Sequence, residues 1–207
     1  MTEYLVPTGA GEATLVEKRS EFIGRVWPVE DEETARALIE QTRKRQHDAR
    51  HNCWCYLIRD GAVRYSDDGE PQGTAGQPML SVFQKAGVTG VCCVVTRYFG
   101  GVLLGAGGLV RAYTQAASDA LAAAGISQVR RWVEMAVECP YSFFERVKNL
   151  AQAHGGVPGE AEYAAQVTLH LLLPEAQVQP FAAAVTELSA GSFAAAELGE
   201  TFRAVPL

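Results

Sequence analysis

No stretch of this sequence approaches the ~20 consecutive apolar residues of a membrane-spanning helix, so no membrane role is expected. The opening segment, MTEYLVPTGAGEATLVEKRSEF, lacks a basic region followed by an apolar core and does not read as a secretory leader. These two absences set the expectation of a cytoplasmic protein. Positive charge is not in excess either, with 18 Lys and Arg against 24 Asp and Glu, a net of −6. That balance argues against a polyanion binder working by bulk attraction. The cysteines are five, an odd number, and none form a C-x2-C pair. Odd counting fits reduced thiols rather than a disulfide framework. Cys53 and Cys55 alternate with Trp54 and Tyr56 on a strand-like run, and Cys92 and Cys93 sit inside another. His47 and His51 stand nearby, but this spacing is that of core cysteines and not of a structural zinc site.

What is present is ample apolar material. The 207 residues are 48% hydrophobic, enough for one or two packed domains. The charge is unevenly spread: residues 1–130 hold fourteen Lys/Arg against fifteen Asp/Glu, whereas 131–207 hold four against nine. An anion-binding surface is therefore expected in the front half.

The chain is organised around Val91 to Leu121. A β-branched run, Val91 to Thr96, reads as a buried strand. Arg97 and Tyr98 follow, then a loop with Gly100, Gly101, Gly105, Gly107 and Gly108. Beyond it the period becomes helical, with Leu109, Ala112, Tyr113, Ala116, Ala117, Ala120 and Leu121 on one face. Strand, glycine-rich turn and helix can aim backbone N–H groups at an anion. The same glycines equally serve a tight turn or a close helix–sheet contact.

Before this core, strands are expected at Tyr4–Pro7, Gly11–Lys18 and Glu21–Val29. A helix opened by Asp31-Glu32-Glu33 runs to Arg43-Lys44-Arg45, its charges matched to the helix dipole. From Arg36 to Arg64 seven basic residues face three acids, a hint of nucleic-acid contact. Cys53–Arg59 and Ala62–Tyr65 form an expected hairpin around Asp60-Gly61. A second loop follows, Ser66 to Pro78, and then a short amphipathic helix with Pro78 in its first turn. Three acids in four residues, Asp67, Asp68 and Glu70, suit either a metal or base site or a turn whose side chains bind backbone N–H groups.

Past Gly125 the character changes, and Gln128 to Arg131 is the expected domain boundary. Trp132–Glu138, Tyr141–Ala153, a short strand between turns at Gly155-Gly156 and Pro158-Gly159, Tyr163–Leu173, Glu175–Leu188 and Ser192–Arg203 give strands and helices in the order β-α-β-β-α-β. That is the ferredoxin-like pattern. His154 and His170 stand alone in it, so a binding or scaffolding module is expected.

HNCWCYLIRD at 51–60, SDDGEPQGTAGQPML at 66–80 and VVTRYFGGVLLGAGGLVRAYTQAASDAL at 94–121 closely resemble the IMPACT family, in particular its bacterial YigZ-like branch. The resemblance covers nearly all of 10–125 and implies an α+β protein. Its N-terminal domain, 1–128, would have a fold like the second domain of ribosomal protein S-five, with a left-handed βαβ unit. A ferredoxin-like βαββαβ domain, 129–207, would follow. This pairing is similar to the last two domains of elongation factor G, which act on the ribosome. Eukaryotic relatives dampen the starvation response by competing for the scaffold that activates an eIF-two-alpha kinase. The family pattern also implies Gly-Gly-Ile-Lys-Leu-Gly in the glycine loop; here Gly100-Gly101-Val102-Leu103-Leu104-Gly105 lacks the lysine.

The two loops are expected side by side at one end of the N-terminal sheet, with Arg97 bridging to Asp67, Asp68 or Glu70. The expected binding residues are Ser66, Asp67, Asp68, Gly69, Glu70, Gly73 and Thr74 from the first loop. Arg97, Tyr98, Gly100, Gly101, Gly105, Gly107, Gly108 and Arg111 come from the second, with Tyr98 as a stacking platform. RNA or the ribosome is the first expected partner, and a translation-associated protein the second. The third reading is a metal-dependent hydrolase using Asp67, Asp68 and Glu70, assisted by Thr74 or Ser66. The sequence has no clear nucleophile–base pair, which favours a non-enzymatic regulatory or binding role. No catalytic residue, metal or cofactor is assigned.

Overall fold

The structure, a computed structural model, describes residues 3–207. It is α+β and divides into two compact units. One takes in the residues up to Val129 together with Ala204–Leu207, and the other is Arg130–Arg203.

In the first unit β2 (Gly11–Glu17), β3 (Ser20–Pro28), β4 (His51–Leu57), β5 (Val63–Ser66) and β6 (Val91–Tyr98) make an antiparallel sheet in the order β2-β3-β6-β4-β5. β1 (Tyr4–Pro7) lies outside it and pairs Ile126–Val129, the start of β7 (Ile126–Cys139). α1 (Glu32–Arg45) joins β3 to β4. Both strands are antiparallel to β6, which lies between them, so they run parallel to each other and form a βαβ crossover. α2 (Gly76–Lys85) precedes β6, and α3 (Ala106–Ala124) follows it.

Strand β6 is the spine of this unit, buried from Val91 to Arg97. Its residues alternate between two cores. Val91, Cys93 and Val95 pack with Phe22, Val26, Met79 and Phe83 under α2 and α3, while Cys92 and Val94 join Ala35, Ile39 and Tyr56 under α1. Cover on both faces is why the strand reads as one apolar run instead of an alternation. Each such side chain contributes about 1.5–3 kcal/mol by leaving water. All five cysteines are free and buried, with Cys53 and Cys55 on the same face as expected.

The buried face of α3 is the one that the helical period marks, Leu109 to Leu121, with Ala124 added. Its alanines let the helix lie very close to the sheet. A Cβ on Gly24 would stand 2.4 Å from the Ala116 carbonyl oxygen, and one on Gly11 2.3 Å from the Ala124 nitrogen. Only glycine fits under such a contact. At the other helix, Asp31 accepts the Thr34 N–H at 2.7 Å and caps α1, with Arg43, Lys44 and Arg45 in the last turn.

The second unit contains β7 from Arg130 on, α4 (Phe144–Ala153), β8 (Val157–Tyr163), β9 (Val167–Pro174), α5 (Val178–Leu188) and most of β10 (Ala195–Pro206). Its strand order is β10-β7-β9-β8, which with the β-α-β-β-α-β sequence is a ferredoxin-like arrangement. Val133, Met135, Val137, Leu169, Leu171 and Leu173 pack against Val147, Phe181 and Val185.

Residues 128–131 lie inside β7 and form no connecting segment; the division between the two units falls among them, after Val129. Two local expectations differ from what is found. The run Tyr163–Leu173 is not one strand: Tyr163 ends β8, and β9 begins at Val167. Alternation continues across Ala164-Ala165-Gln166, which carries no Gly, Pro, Asn or Asp to announce the turn. Pro158-Gly159 is not a turn either. The register shifts between Pro158 and Ala161, so Gly159 and Glu160 oppose His170 alone as a bulge. Among the described residues no helix is long and apolar enough to cross a membrane.

The α3–sheet contact gives a first prediction. Gly24→Val should lower the stability of the chain by about 1–3 kcal/mol through overpacking, read as a lower urea midpoint. Gly9→Ala, at a position with nothing within 4 Å of the added carbon, should change it by less than about 0.5 kcal/mol. Equal effects at both positions would remove the argument from close approach.

Candidate functional site

The loop after β5 is held by its own acids. Asp67 accepts backbone N–H groups from Gly73 (2.8 Å), Ala75 (3.0 Å) and Gly76 (2.9 Å). It thus neutralises the N-terminal end of α2 from outside that helix. Asp68 sits at a positive φ of 44°. One of its carboxylate oxygens meets Arg43 Nη2 at 2.8 Å, and the other accepts the Asn52 N–H at 2.7 Å. Pairing of β4 with β5 starts only at Trp54, so Asp68 occupies a β4 edge position that the ladder leaves open. Its carbonyl accepts from His51 Nδ1 at 2.8 Å, and a carbonyl can only accept, so Nδ1 carries a proton. Ser66 Oγ accepts the Asp68 N–H, and Thr74 Oγ1 donates to the Pro71 carbonyl at 2.6 Å. Gly69 and Gly73 take positive φ in the turn.

Glu70 is different, because its carboxylate turns inward. It is 8% exposed, and its Oε1 accepts from Arg97 Nη1 at 2.6 Å and from Tyr113 Oη at 2.8 Å. Burial pushes the Tyr113 phenol well up from its ordinary value, with Cys53 and Glu70 adding to the shift, so it remains a hydrogen-bond donor. His51 Nε2 stands 3.9 Å from Glu70 Oε2. Burial likewise raises the Cys53 thiol, which donates to the Asp67 carbonyl instead of forming a thiolate.

Arg97 is 5% exposed, and its Nε is buried with no hydrogen-bond partner. Its guanidinium carbon lies 5.5 Å from the ring centres of Phe22 and Phe99. Beyond it the chain turns sharply. Gly100 donates to Ser20 Oγ at 3.2 Å, and an added Cβ there would come 2.0 Å from the Arg19 backbone. Gly101 has a φ of 83°, and Gly105, at 72°, accepts the Leu109 N–H and starts α3. Gly107 and Gly108 lie in the first turn of that helix.

The two loops do meet, around a groove of about 320 Å3. Its polar wall is Arg50, His51, Glu70 and Arg97; Phe99, Leu103, Leu104 and Leu109 form the apolar wall, with Gly105 and Ala106 at the start of α3. Arg97 meets Glu70 and neither aspartate. Of the expected residues only Gly69, Glu70, Arg97 and Gly105 line the groove; Gly100, Gly101, Gly107 and Gly108 shape the loop and helix start beside it, and Tyr98 and Arg111 are elsewhere. Tyr98 points away from Arg97 because neighbours on a strand face opposite sides; its hydroxyl lies 2.6 Å from Gln46 Oε1 and 3.0 Å from Asp48 Oδ1. Arg111 is exposed and does not line the groove. Ser66, Asp67, Asp68, Gly73 and Thr74 support the loop from behind. Sequence reading missed Arg50, His51, Phe99 and Tyr113. Phe99 follows directly after β6 and packs beside Arg97, and antiparallel register places His51 opposite Arg97. The carboxylates are dispersed over backbone amides, Arg43 and Arg97, and no group of three metal-ligating side chains occurs among the described residues.

Fold and groove define an α+β protein of two units whose first unit carries a loop-walled groove at one sheet end. The Impact N-terminal domain matches residues 18–121, and a domain of unknown function, DUF1949, matches 137–192. The chain is 37% identical to IMPACT family member YigZ of Escherichia coli strain K12, over 93% of this chain and 96% of that one. It is 35% identical to IMPACT family member YvyE of Bacillus subtilis strain 168, over 91% and 88%. A solved structure described as a crystal structure of an hypothetical protein shares 34% identity at a TM-score of 0.60, covering 96% of this chain and 98% of its own. The chain belongs to the IMPACT family.

The Arg97–Glu70 pair yields a second prediction. Arg97→Ala should cost about 3–5 kcal/mol, because it strands a buried carboxylate. Arg97→Met combined with Glu70→Leu should recover most of that loss. Unfolding midpoints in urea test both, and a double variant no better than the single one would argue against the pair as the origin of the effect.

Proposed function

We propose that the groove binds RNA and that the protein is a non-enzymatic, translation-linked regulator that contacts the ribosome through it. The observation carrying this reading is Arg97, which lines the groove and keeps a buried Nε without a partner. A buried donor left unpaired costs about 1–3 kcal/mol, so the Arg97 guanidinium holds hydrogen-bonding capacity that Glu70 does not fill. Arg50 adds a guanidinium 5.7 Å from the Phe99 ring centre, so charge and a stacking face stand together. The N-terminal end of α3 adds a partial positive charge beside them. Against the hydrolase reading, Asp67, Asp68 and Glu70 are each committed to amides or guanidinium groups. A protein partner is the second reading, favoured by the exposed apolar rim of Phe99 (40%), Val102 (41%) and Leu103 (82%).

Co-sedimentation with purified ribosomes at low and high salt tests the first reading. With one or two phosphate contacts, raising salt fourfold should weaken association by about three- to sevenfold, and Arg50→Ala should weaken it at both salts. Leu103→Lys should strengthen association with RNA and weaken association with an apolar protein partner. Absence from ribosomal fractions at both salts, or association indifferent to salt, would sink the RNA reading and leave the second.

A further inference from the structure

A second recess, of about 360 Å3, lies on the α1 face of the same sheet. Its floor is Trp54, stacked on Tyr56 at 5.6 Å between ring centres and 5° between planes. Its walls are Arg36, Ile39, Glu40 and Arg43 from α1 and Arg64 from β5. The groove uses none of these groups to line its walls, although they belong to the most basic stretch of the chain.

Each wall supplies a different piece of chemistry. The indole offers a broad apolar plane, and its Nε1 is buried with no hydrogen-bond partner. Arg36 is paired with Glu32 at 3.4 Å, and Arg43 with Glu40 at 3.1 Å and Asp68 at 2.8 Å. Arg64 donates only to the carbonyl of Val63, at 2.9 Å, and is exposed. Among the described residues it has no carboxylate within salt-bridge distance. The recess therefore joins a planar apolar surface and a guanidinium that makes no hydrogen bond to a carboxylate, with Glu32 near enough to act on it only through space, in a volume at the small end of ligand sites.

We propose that this recess is a nucleotide-binding site, in which a nucleobase lies against Trp54 and the attached phosphate pairs with Arg64. A base has a π-face for the indole and a phosphate whose charge and forked geometry match a guanidinium. A purely apolar ligand would leave Arg64 unanswered, and a bare anion would leave the aromatic plane unused. The same chemistry is carried by a free nucleotide and by one residue of a single-stranded RNA. This site is separate from the groove and survives the failure of the RNA reading there.

The test uses the full chain with two probes: adenosine monophosphate, followed by isothermal titration calorimetry, and 5′-fluorescein-labelled octaadenylate, followed by anisotropy. Both should bind saturably if a free nucleotide suffices, and octaadenylate alone if the strand is needed. In either case Arg64→Ala should weaken binding by about tenfold, as loss of one charge-assisted contact does. Trp54→Leu should weaken it by about tenfold or more, and Trp54→Phe should retain most of it, because an aromatic plane remains. Arg64 is exposed and makes no hydrogen bond to another side chain, so its variant reads the site even where Trp54→Leu unfolds. The proposal is overturned if neither probe saturates at millimolar concentration, or if Arg64→Ala leaves both affinities unchanged. Binding lost in Arg50→Ala but kept in Arg64→Ala would place the ligand in the groove and overturn it equally.

Discussion

The Glu70 carboxylate ties together three parts of the chain that are far apart in sequence: the loop after β5, strand β6 through Arg97, and helix α3 through Tyr113. A buried ion pair adds little net stability, because desolvating both charges offsets their attraction. Its effect here is geometric. With the arginine and the phenol both donating to the same oxygen, the loop has one way to close over the sheet end. Asp67 and Asp68 then complete the closure with backbone amides and Arg43. The acids that look like a metal site in the sequence are the means by which a glycine-rich loop acquires a fixed shape.

The groove depends equally on how near α3 lies to the sheet. Ala116 and Ala120 rest over Gly24, and Ala120 and Ala124 rest over Gly11. A bulkier helix face would lift the start of α3 away from β6 and separate Ala106 and Leu109 from Arg97. Small residues in one element and glycines in another, 80 or more positions apart, are thus one packing decision. Propensity alone disfavours glycine in a strand, and here the tertiary contact overrides it.

Much of this was legible in the sequence. The change from a β-branched run to a helical period fixes β6 and α3, and the buried face of α3 follows almost residue by residue. The β-α-β-β-α-β order of the second unit is readable for the same reason. Side-chain partnership was less legible. Three acids stood within reach of Arg97, and the choice of Glu70 depends on the loop path, which is set by positive-φ positions at Asp68 and Gly69. Tyr98 was placed in the groove beside Arg97 although strand alternation forbids both from facing it. His51 is not legible as a groove residue because only the β4–β6 register brings it to Arg97, and Arg50 follows from its place just before that strand. The bulge at Gly159 and the turn at 164–166 were missed because turn-forming residues mark the first and are absent from the second.

The five enclosed thiols have a further use, as chemical clocks. A thiol behind the protein wall reacts with an alkylating reagent only when its surroundings open, so its labelling rate reports the free energy of that opening. Cys53 lies behind the Asp67 carbonyl, Cys55, Cys92 and Cys93 lie in the sheet of the first unit, and Cys139 belongs to the second. Labelling at Cys53, at the other three thiols of the first unit and at Cys139 therefore reads openings at separate places in the chain.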